Sequence, residues 1–336
     1  MLNICICGGG SLGHVCCGVL ASHKDVKLSL LTKHPDQWSS NIIAEDSSGK
    51  QYCGKIAKIS TFAEEVINDS YIILLCLPGF LIESTLKEIK PYVKKETIVG
   101  SIVSSTGFFF FAHKILNKEA SLFGFQRVPF IARVAEYGHK GNLLGYKNNL
   151  AVAVENVEEK EAFRATIEKL FYTPTTLLDS FYEAALTNSN PILHTGRLYA
   201  MWKDWKGDAR PECGLFYREW DIESAQTIID MDKEFMSLLD ILPVRKGVIP
   251  TLLDYYESTD AESLCNKIRS IPAFQKILSP MKKTEKGWIP DFKSRYFIED
   301  FPYGLRFLVD LSQKYNLPNK KMKEVYKWGI KMIEEQ

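Results

Sequence analysis

The chain begins with a short apolar segment that runs directly into a cluster of glycines. Residues 2–7 are typical of a buried strand, and residues 8–13 follow with the spacing G-x-G-x-x-G. In such a turn Gly8 permits the tight bend, Gly10 lets the backbone approach a pyrophosphate, and Gly13 lets the helix pack closely on the strand. A ligand-free glycine turn is the alternative, but a strand before and a helix after form the context of a dinucleotide site.

The end of the second strand should distinguish NAD from NADP. An acidic residue there would bind the ribose 2′-hydroxyl, and a basic residue would suit a 2′-phosphate. The sequence has Thr32, Lys33 and His34 at this point and no acid before Asp36. Lys33 favours NADP, but a single exposed lysine is commonly only solvated, so both cofactors stay open. The cofactor contacts predicted from the residues are Gly8, Gly10, Ser11, Leu12, Gly13, Thr32 and Lys33.

The pattern of apolar residues changes about halfway along the chain. Over residues 1–180, strand-like runs alternate with helical segments, which predicts an α/β domain with a mostly parallel, doubly wound sheet. Over residues 181–336, apolar residues recur every three or four positions, which predicts an all-α domain. The predicted helices of this second domain include Ala225 to Leu242, Ala261 to Arg269, Leu305 to Tyr315 and Lys320 to Glu334.

Composition narrows the function classes. The 336 residues include 42 Lys and Arg against 41 Asp and Glu, so the formal charge is +1. A chain with this balance is not expected to bind nucleic acid, which requires a net basic face. The apolar runs are far shorter than about 20 residues, so no membrane span is expected.

The cysteines and the amino terminus indicate the compartment. The first residues carry no basic segment of the kind that opens a secretory signal. Several of the eight cysteines lie in apolar strand-like runs, so we expect reduced thiols and a cytoplasmic location. No C-x-x-C pair is present, and no metal site is expected.

Two segments of the second half carry candidate catalytic residues. His194 can donate a proton to a carbonyl that takes up a hydride, and Asp300 can orient its imidazole. The planar guanidinium of Arg295 can grip a carboxylate. Asn190 lies on the face of His194 if a helix runs through Pro191, but it is an N-cap if the helix begins there. The alternatives are a structural histidine, an Arg295–Asp300 ion pair and an acidic helix start.

Taken together, these segments resemble the octopine/nopaline dehydrogenase family of opine dehydrogenases nearly end to end. The similarity rests on CICGGG at 5–10, LPGF at 77–80, GLFYR at 214–218 and the stretch from Pro290 to Gly304. The resemblance implies that Pro78 lies in a loop on the cofactor side. It also implies that Ser105 lies in a substrate-side loop, at a position where a longer polar side chain can occur.

The resemblance further implies a fold and a reaction. An N-terminal Rossmann domain would be followed by an all-α domain like the C-terminal domain of 6-phosphogluconate dehydrogenase, with the active site between them. An amino acid would condense with an α-keto acid such as pyruvate, and NAD(P)H would reduce the imine. The residue matching His194 would polarise the keto oxygen, the one matching Asp300 would assist it, and Arg295 would hold a substrate carboxylate. Thr195 departs from the proline that often follows this histidine.

Two other functions fit parts of the sequence. A 2-keto-acid reductase of the ketopantoate reductase type would share the architecture, with Lys147 as a candidate catalytic lysine. We interpret the segment Lys147 to Asn149 as a polar turn between two strands. A dinucleotide sensor without catalysis is the second alternative. The sequence leaves monomer and homodimer open.

Overall fold

The computed structural model describes residues 1–335, with all their side chains except that of Thr106. The chain divides into two compact units, Met1–Thr187 and a second that begins at Asn188. The dividing point lies a few residues after the boundary expected from the sequence. The reason is a short helix, Phe181–Ala185, which packs against strands of the first unit.

The first unit alternates strands and helices. Its strands are β1 (Leu2–Cys7), β2 (Val26–Leu31), β3 (Asn41–Asp46), β4 (Gln51–Ser60), β5 (Ile72–Leu75), β6 (Ile98–Ser101), β7 (Leu122–Phe125), β8 (Phe130–Glu136), β9 (Lys140–Tyr146), β10 (Leu150–Glu155) and β11 (Thr175–Leu177). Its helices are α1 (Ser11–Ala21), α2 (Ala63–Ile67), α3 (Gly79–Ile89), α4 (Phe108–Ile115), α5 (Lys160–Phe171) and α6 (Phe181–Ala185).

In the described residues of this unit, the strands form a single mixed sheet. Its order is β11-β10-β7-β6-β5-β1-β2-β4-β3-β9-β8. The central strands β6, β5, β1, β2 and β4 are parallel. The chain leaves β1 towards β2 on one side and later returns to β5 on the other, so the strand order reverses at β1. Ligands of open α/β sheets bind beyond the carboxyl ends of the strands at such a reversal.

The described residues of the second unit are mainly helical. Its helices are α7 (Asn190–Trp202), α8 (Ile222–Leu239), α9 (Leu252–Tyr255), α10 (Ala261–Ser270), α11 (Arg295–Ile298), α12 (Arg306–Lys314) and α13 (Lys320–Glu334). A π-helical turn, Phe301–Leu305, joins α11 to α12. An antiparallel hairpin of β12 (Met281–Thr284) and β13 (Gly287–Pro290) is the departure from the all-α prediction. Its strands are only four residues long and mostly half-buried, so they leave little alternating pattern in the sequence.

The fold class expected from the sequence, a Rossmann-like sheet followed by a helical domain, is confirmed. The segment Lys147 to Asn149 lies between β9 and β10, as expected for a polar turn. All eight cysteines, each within the described residues, are free thiols. Among the described residues, no helix combines the length and the apolar character needed to cross a bilayer.

Backbone contacts fix the glycine turn between β1 and α1. Gly8 has φ of +119°, and a Cβ there would lie 2.6 Å from the carbonyl oxygen of Cys76. A Cβ on Gly13 would lie 2.0 Å from the carbonyl oxygen of Gly8. A Cβ on Gly10, by contrast, would have no atom within 4 Å. Gly8 and Gly13 are therefore required by packing, whereas Gly10 faces open space.

This difference predicts opposite outcomes for two substitutions. Gly13→Ala forces its methyl group into a backbone carbonyl and should lower the free energy of unfolding by about 1–3 kcal/mol. Gly10→Ser should leave stability within about 0.5 kcal/mol, because the site is open and serine is a good N-cap. It should instead weaken NAD(P)H binding, because its side chain points into the space that a pyrophosphate would need. Urea denaturation and cofactor fluorescence measure both effects, and equal stabilities of the two variants would contradict the assignment.

Candidate functional site

A cavity of about 400 Å³ lies at the carboxyl ends of the central strands. Its volume is in the range of small-molecule sites. It is lined by residues that follow four strands and by one side of α3: Gly8, Gly9, Thr32, Lys33, His34, Thr61, Leu77 and Leu81. The cavity therefore lies at the reversal of strand order, where the sequence predicted a dinucleotide.

The start of α1 suits the phosphates of a dinucleotide. Gly10 is its N-cap residue. Glycine has no side chain that could accept hydrogen bonds from the backbone N–H groups of the first helical turn, which begins with Ser11 and Leu12. Free N–H groups at a helix N-terminus bind anions. The open space beside Gly10 leaves room for such a group. The residues present therefore fit a dinucleotide cofactor.

The end of β2 forms another part of this cavity. Thr32 is buried, whereas Lys33 and His34 are exposed at the rim. Among the described residues that line the cavity, Glu88 is the one acidic residue, and it lies near the end of α3. Pro78 is the N-cap residue of α3 and immediately follows Leu77, which lines the cavity.

In the second unit, a buried histidine is held by hydrogen bonds at both ring nitrogens. His194 Nδ1 lies 2.8 Å from Asp300 Oδ2, and Nε2 lies 2.8 Å from the hydroxyl of Tyr217. An ionised carboxylate can only accept, so Nδ1 carries the proton and donates to Asp300. The tautomer is inferred from this network, with Nε2 left to accept from Tyr217. Sequence reasoning proposed His194 and Asp300 together, and the structure brings them together.

Sequence reasoning did not predict the hydrogen bond between Tyr217 and His194. The ring of Tyr217 is buried, stacked on Phe274 at 4.2 Å and on Trp220 at 5.8 Å between centroids. Burial raises the pKa of Tyr217 well above its usual range, and nearby Tyr296 adds to this effect. Tyr217 therefore stays protonated at neutral pH and can donate to His194. Its only sequence signal was its place in the GLFYR segment, which says nothing about a contact with a histidine 23 residues earlier.

Local structure explains how each partner is positioned. Helix α7 begins at Asn190, with Pro191 in its first turn, where a missing N–H costs nothing. The helix therefore begins one residue before the proline. Asn190 is neither an N-cap nor part of a kinked longer helix, and it lies four residues from His194 on one face. Asp300 follows α11 and immediately precedes the π-helical turn, a feature that is frequent at functional sites.

Arg295 has a different partner from the one considered in the sequence. Its guanidinium forms a bidentate pair with Glu299, with Nε and Nη2 each 2.9 Å from a carboxylate oxygen. The arginine side chain is 79% exposed. The i, i+4 spacing on one helical path brings Glu299 rather than Asp300 to the arginine. Glu299 occupies Nε and one N–H of Nη2, so a substrate carboxylate could reach this guanidinium through Nη1 and the second N–H of Nη2.

The loop after β6 contains strained backbone next to Ser105. Val103 has φ of +75°, which a β-branched residue rarely adopts. Ser105 lies half-buried in a short 3₁₀ turn that follows Val103. In the same turn, the hydroxyl of Ser104 donates a hydrogen bond to the carbonyl oxygen of Phe125 at 3.1 Å. Strain of this kind collects at functional sites, where the surrounding structure maintains it.

Comparison with known proteins supplies independent evidence. Residues 177–333 match the family model for the α-helical domain of NAD/NADP octopine/nopaline dehydrogenase. Residues 4–124 match the model for ketopantoate reductase PanE/ApbA. The cofactor-side half is thus shared with the reductase, whereas the helical half matches the opine enzymes.

Relatives with assigned activities extend the comparison over the whole chain. The opine dehydrogenase of Haliotis discus hannai is 27% identical, over 99% of this chain and 90% of its own. The octopine dehydrogenase of Mizuhopecten yessoensis is 26% identical over the same shares. The fold of an octopine dehydrogenase solved with NADH and L-arginine matches with a TM-score of 0.84 at 23% identity, covering 99% of this chain and 90% of that one.

The glycine turn, the histidine–aspartate pair and the helical domain thus occur together in a chain that is similar to opine dehydrogenases along nearly its whole length. Its helical domain, residues 177–333, belongs to the octopine/nopaline dehydrogenase family.

Proposed function

We propose that this chain is an opine dehydrogenase that joins an amino acid to an α-keto acid such as pyruvate, with NAD(P)H as reductant. The observation that carries the proposal is the buried His194, which is bonded at one nitrogen to Asp300 and at the other to Tyr217. The imidazole in this network can move the protons that are transferred when an amine condenses with a keto group to form an imine. The family membership supplies the reaction class, an NAD(P)-dependent oxidoreductase acting on CH–NH groups.

The proposed chemistry separates into proton transfer and reduction. Condensation of the amine with the keto carbon expels the keto oxygen as water, so a proton must be delivered to that oxygen. Because Nε2 of His194 is unprotonated in the tautomer described above, we propose that it takes a proton from the condensing amine and passes it to the keto oxygen. NAD(P)H, when bound, would supply the hydride that adds to the carbon of the protonated imine, which gives a secondary amine and NAD(P)⁺.

Asp300 and Tyr217 are proposed as positioning residues of this histidine. Asp300 holds the imidazole in one tautomer and stabilises its protonated form by its negative charge. Tyr217 donates to Nε2 and so orients the ring from its other side. Its hydroxyl has to leave Nε2, for example to donate to a substrate oxygen, before that nitrogen can take up a proton. The role of Arg295 in holding a carboxylate remains a prediction, as do those of Asn190 and Ser105 in the substrate site.

A 2-keto-acid reductase is the second candidate, because the cofactor-side half matches the ketopantoate reductase model. The match of the helical half to the octopine/nopaline model favours the opine reaction. We further propose a cytoplasmic location, which the eight free thiols support. The assembly, monomer or homodimer, is measurable by light scattering.

The first prediction concerns the need for an amine. With pyruvate and NAD(P)H, oxidation of the reduced cofactor should require an added amino acid, because an imine must form before reduction. Absorbance at 340 nm, with and without a pool of amino acids, measures this directly. Oxidation by keto acid alone would support the reductase. Cofactor binding without oxidation across a panel of keto acids and amino acids would support the sensor.

The second prediction concerns the histidine network. His194→Ala should lower kcat by about 10²–10⁴-fold with little change in cofactor affinity, because general acid catalysis contributes on this scale. Asp300→Asn should also lower kcat strongly, since an amide no longer fixes the tautomer or stabilises the charge. Tyr217→Phe should lower kcat less, and Tyr315→Phe, at the end of α12, should match the wild type. Full activity of His194→Ala at saturating substrate would refute the assignment.

The third prediction concerns cofactor choice. Lys33 has no ion pair among the described residues and lies at the rim where a 2′-phosphate would fall, so NADPH should bind more tightly than NADH. Lys33→Asp should reverse this preference, by about tenfold or more, because it removes a charge-assisted bond and adds an acceptor for a 2′-hydroxyl. Lys24→Asp makes the same charge change before β2 and should not. Fluorescence titration gives both dissociation constants; an unchanged ratio in Lys33→Asp would contradict the prediction.

A further inference from the structure

The turn between β8 and β9 reaches the glycine turn, although it lies more than 120 residues later in the chain. We call Tyr137 and Gly138, the first two of the three residues of this turn, the hairpin tip. We propose that the hairpin tip is part of the cofactor site and that the Tyr137 hydroxyl donates a hydrogen bond to the cofactor's pyrophosphate. This inference rests on the proposed function in one respect only, that the chain binds a dinucleotide.

The hydroxyl of Tyr137 lies against the backbone of the glycine turn. A Cβ built on Gly9 would be 3.2 Å from Tyr137 Oη and 3.0 Å from Thr32 Oγ1. Tyr137 lines the same cavity as Gly8 and Gly9, and its side chain is 43% exposed. Within residues 1–335, no protein group forms a hydrogen bond with this hydroxyl. A donor without a partner therefore faces the place where the turn admits a phosphate.

A single buried side chain holds the hairpin tip against the turn. His14, in the first part of α1, lies with Nδ1 2.9 Å from the carbonyl oxygen of Gly10. Its other nitrogen, Nε2, accepts a 2.7 Å hydrogen bond from the backbone N–H of Gly138. Because Gly138 is the donor, Nε2 is unprotonated and Nδ1–H donates to Gly10. Burial lowers the pKa of His14, which favours this neutral form.

Packing around the hairpin tip leaves it little freedom. The His14 ring lies 4.2 Å from Trp38 and 5.0 Å from Tyr137 between centroids. Gly138 has φ of +72°, and a Cβ there would be 1.8 Å from the carbonyl oxygen of Gln37. The Gly138 carbonyl accepts from the N–H of Ser39 at 2.9 Å. The hairpin tip is thus fixed both to α1 and to the segment after β2.

The chemistry of the site favours the pyrophosphate as partner. A pyrophosphate carries negative charge and several acceptor oxygens, and it is the group that a G-x-G-x-x-G turn approaches most closely. The start of α1 provides backbone N–H donors for the pyrophosphate. Tyr137, in the turn between β8 and β9, adds a side-chain donor. A hydrogen bond from a phenolic hydroxyl to a phosphate oxygen is stronger than one to a neutral acceptor, because the phosphate oxygen is charged.

The test compares two ligands in the full-length protein. Tyr137→Phe should weaken binding of both NAD(P)H and ADP about tenfold, measured by fluorescence titration and by displacement. Tyr71→Phe is the matched control, and it should bind both ligands normally. Tyr71 is also 43% exposed, but it immediately precedes β5 and so lies at the amino ends of the central strands, away from the cavity. Unchanged affinity of Tyr137→Phe for both ligands would overturn the proposal. Weaker NAD(P)H binding with normal ADP binding would also overturn it, because the hydroxyl would then serve the nicotinamide half.

A second variant tests the part played by His14. His14→Asn keeps an amide near the position of Nδ1 but is too short to reach Gly138. If His14 acts through the hairpin tip, His14→Asn should weaken ADP binding, and adding Tyr137→Phe should weaken it little further. Full additivity would overturn this positioning role and leave the Tyr137 result intact. Failure of the wild type to bind NAD(P)H would instead overturn the proposed function itself.

Discussion

The arrangement of the first unit depends on one close approach between two glycines. The helix α1 can start directly on β1 only because Gly13 places no Cβ against the carbonyl oxygen of Gly8, which would lie 2.0 Å away. This contact sets the direction of α1 and brings its N-terminus to the carboxyl edge of the central strands. The backbone N–H groups at the start of α1 thereby lie at the edge where the cavity beside β2 and α3, the proposed cofactor site, is found.

The same contact also explains why the later hairpin matters. Once α1 is fixed, His14 on its first turn points its imidazole between the glycine turn and the β8–β9 connection. The hydrogen bonds at its two nitrogens join segments that are distant in sequence. The proposed phosphate site is therefore formed jointly by the N-terminal motif and by residues near position 138.

The second unit buries an ionisable pair, His194 and Asp300, and the polar atoms of such a pair need hydrogen-bond partners. His194 is 9% exposed, yet both of its nitrogens have partners. Burying a polar group without a hydrogen-bond partner lowers the stability of the folded protein. The Asp300 carboxylate and the Tyr217 hydroxyl offset this loss for the buried imidazole. The same bonds fix its tautomer, with Nδ1 bonded to Asp300 and Nε2, bonded to the Tyr217 hydroxyl, proposed for the chemistry. The stability of the pair and its proposed reactivity have one structural cause.

The sequence by itself determined the features that depend on neighbouring residues. The glycine spacing, the alternation of strands and helices and the long helices of the second half are local patterns, and the structure contains them nearly where expected. His194 and Asp300 were paired from chemistry and family resemblance. The β12–β13 hairpin, the partner of Arg295 and the contact of Tyr217 were not foreseen. Only the tertiary structure decided them and brought Tyr137 to the glycine turn, because such contacts join residues whose separation along the chain leaves no periodic signal.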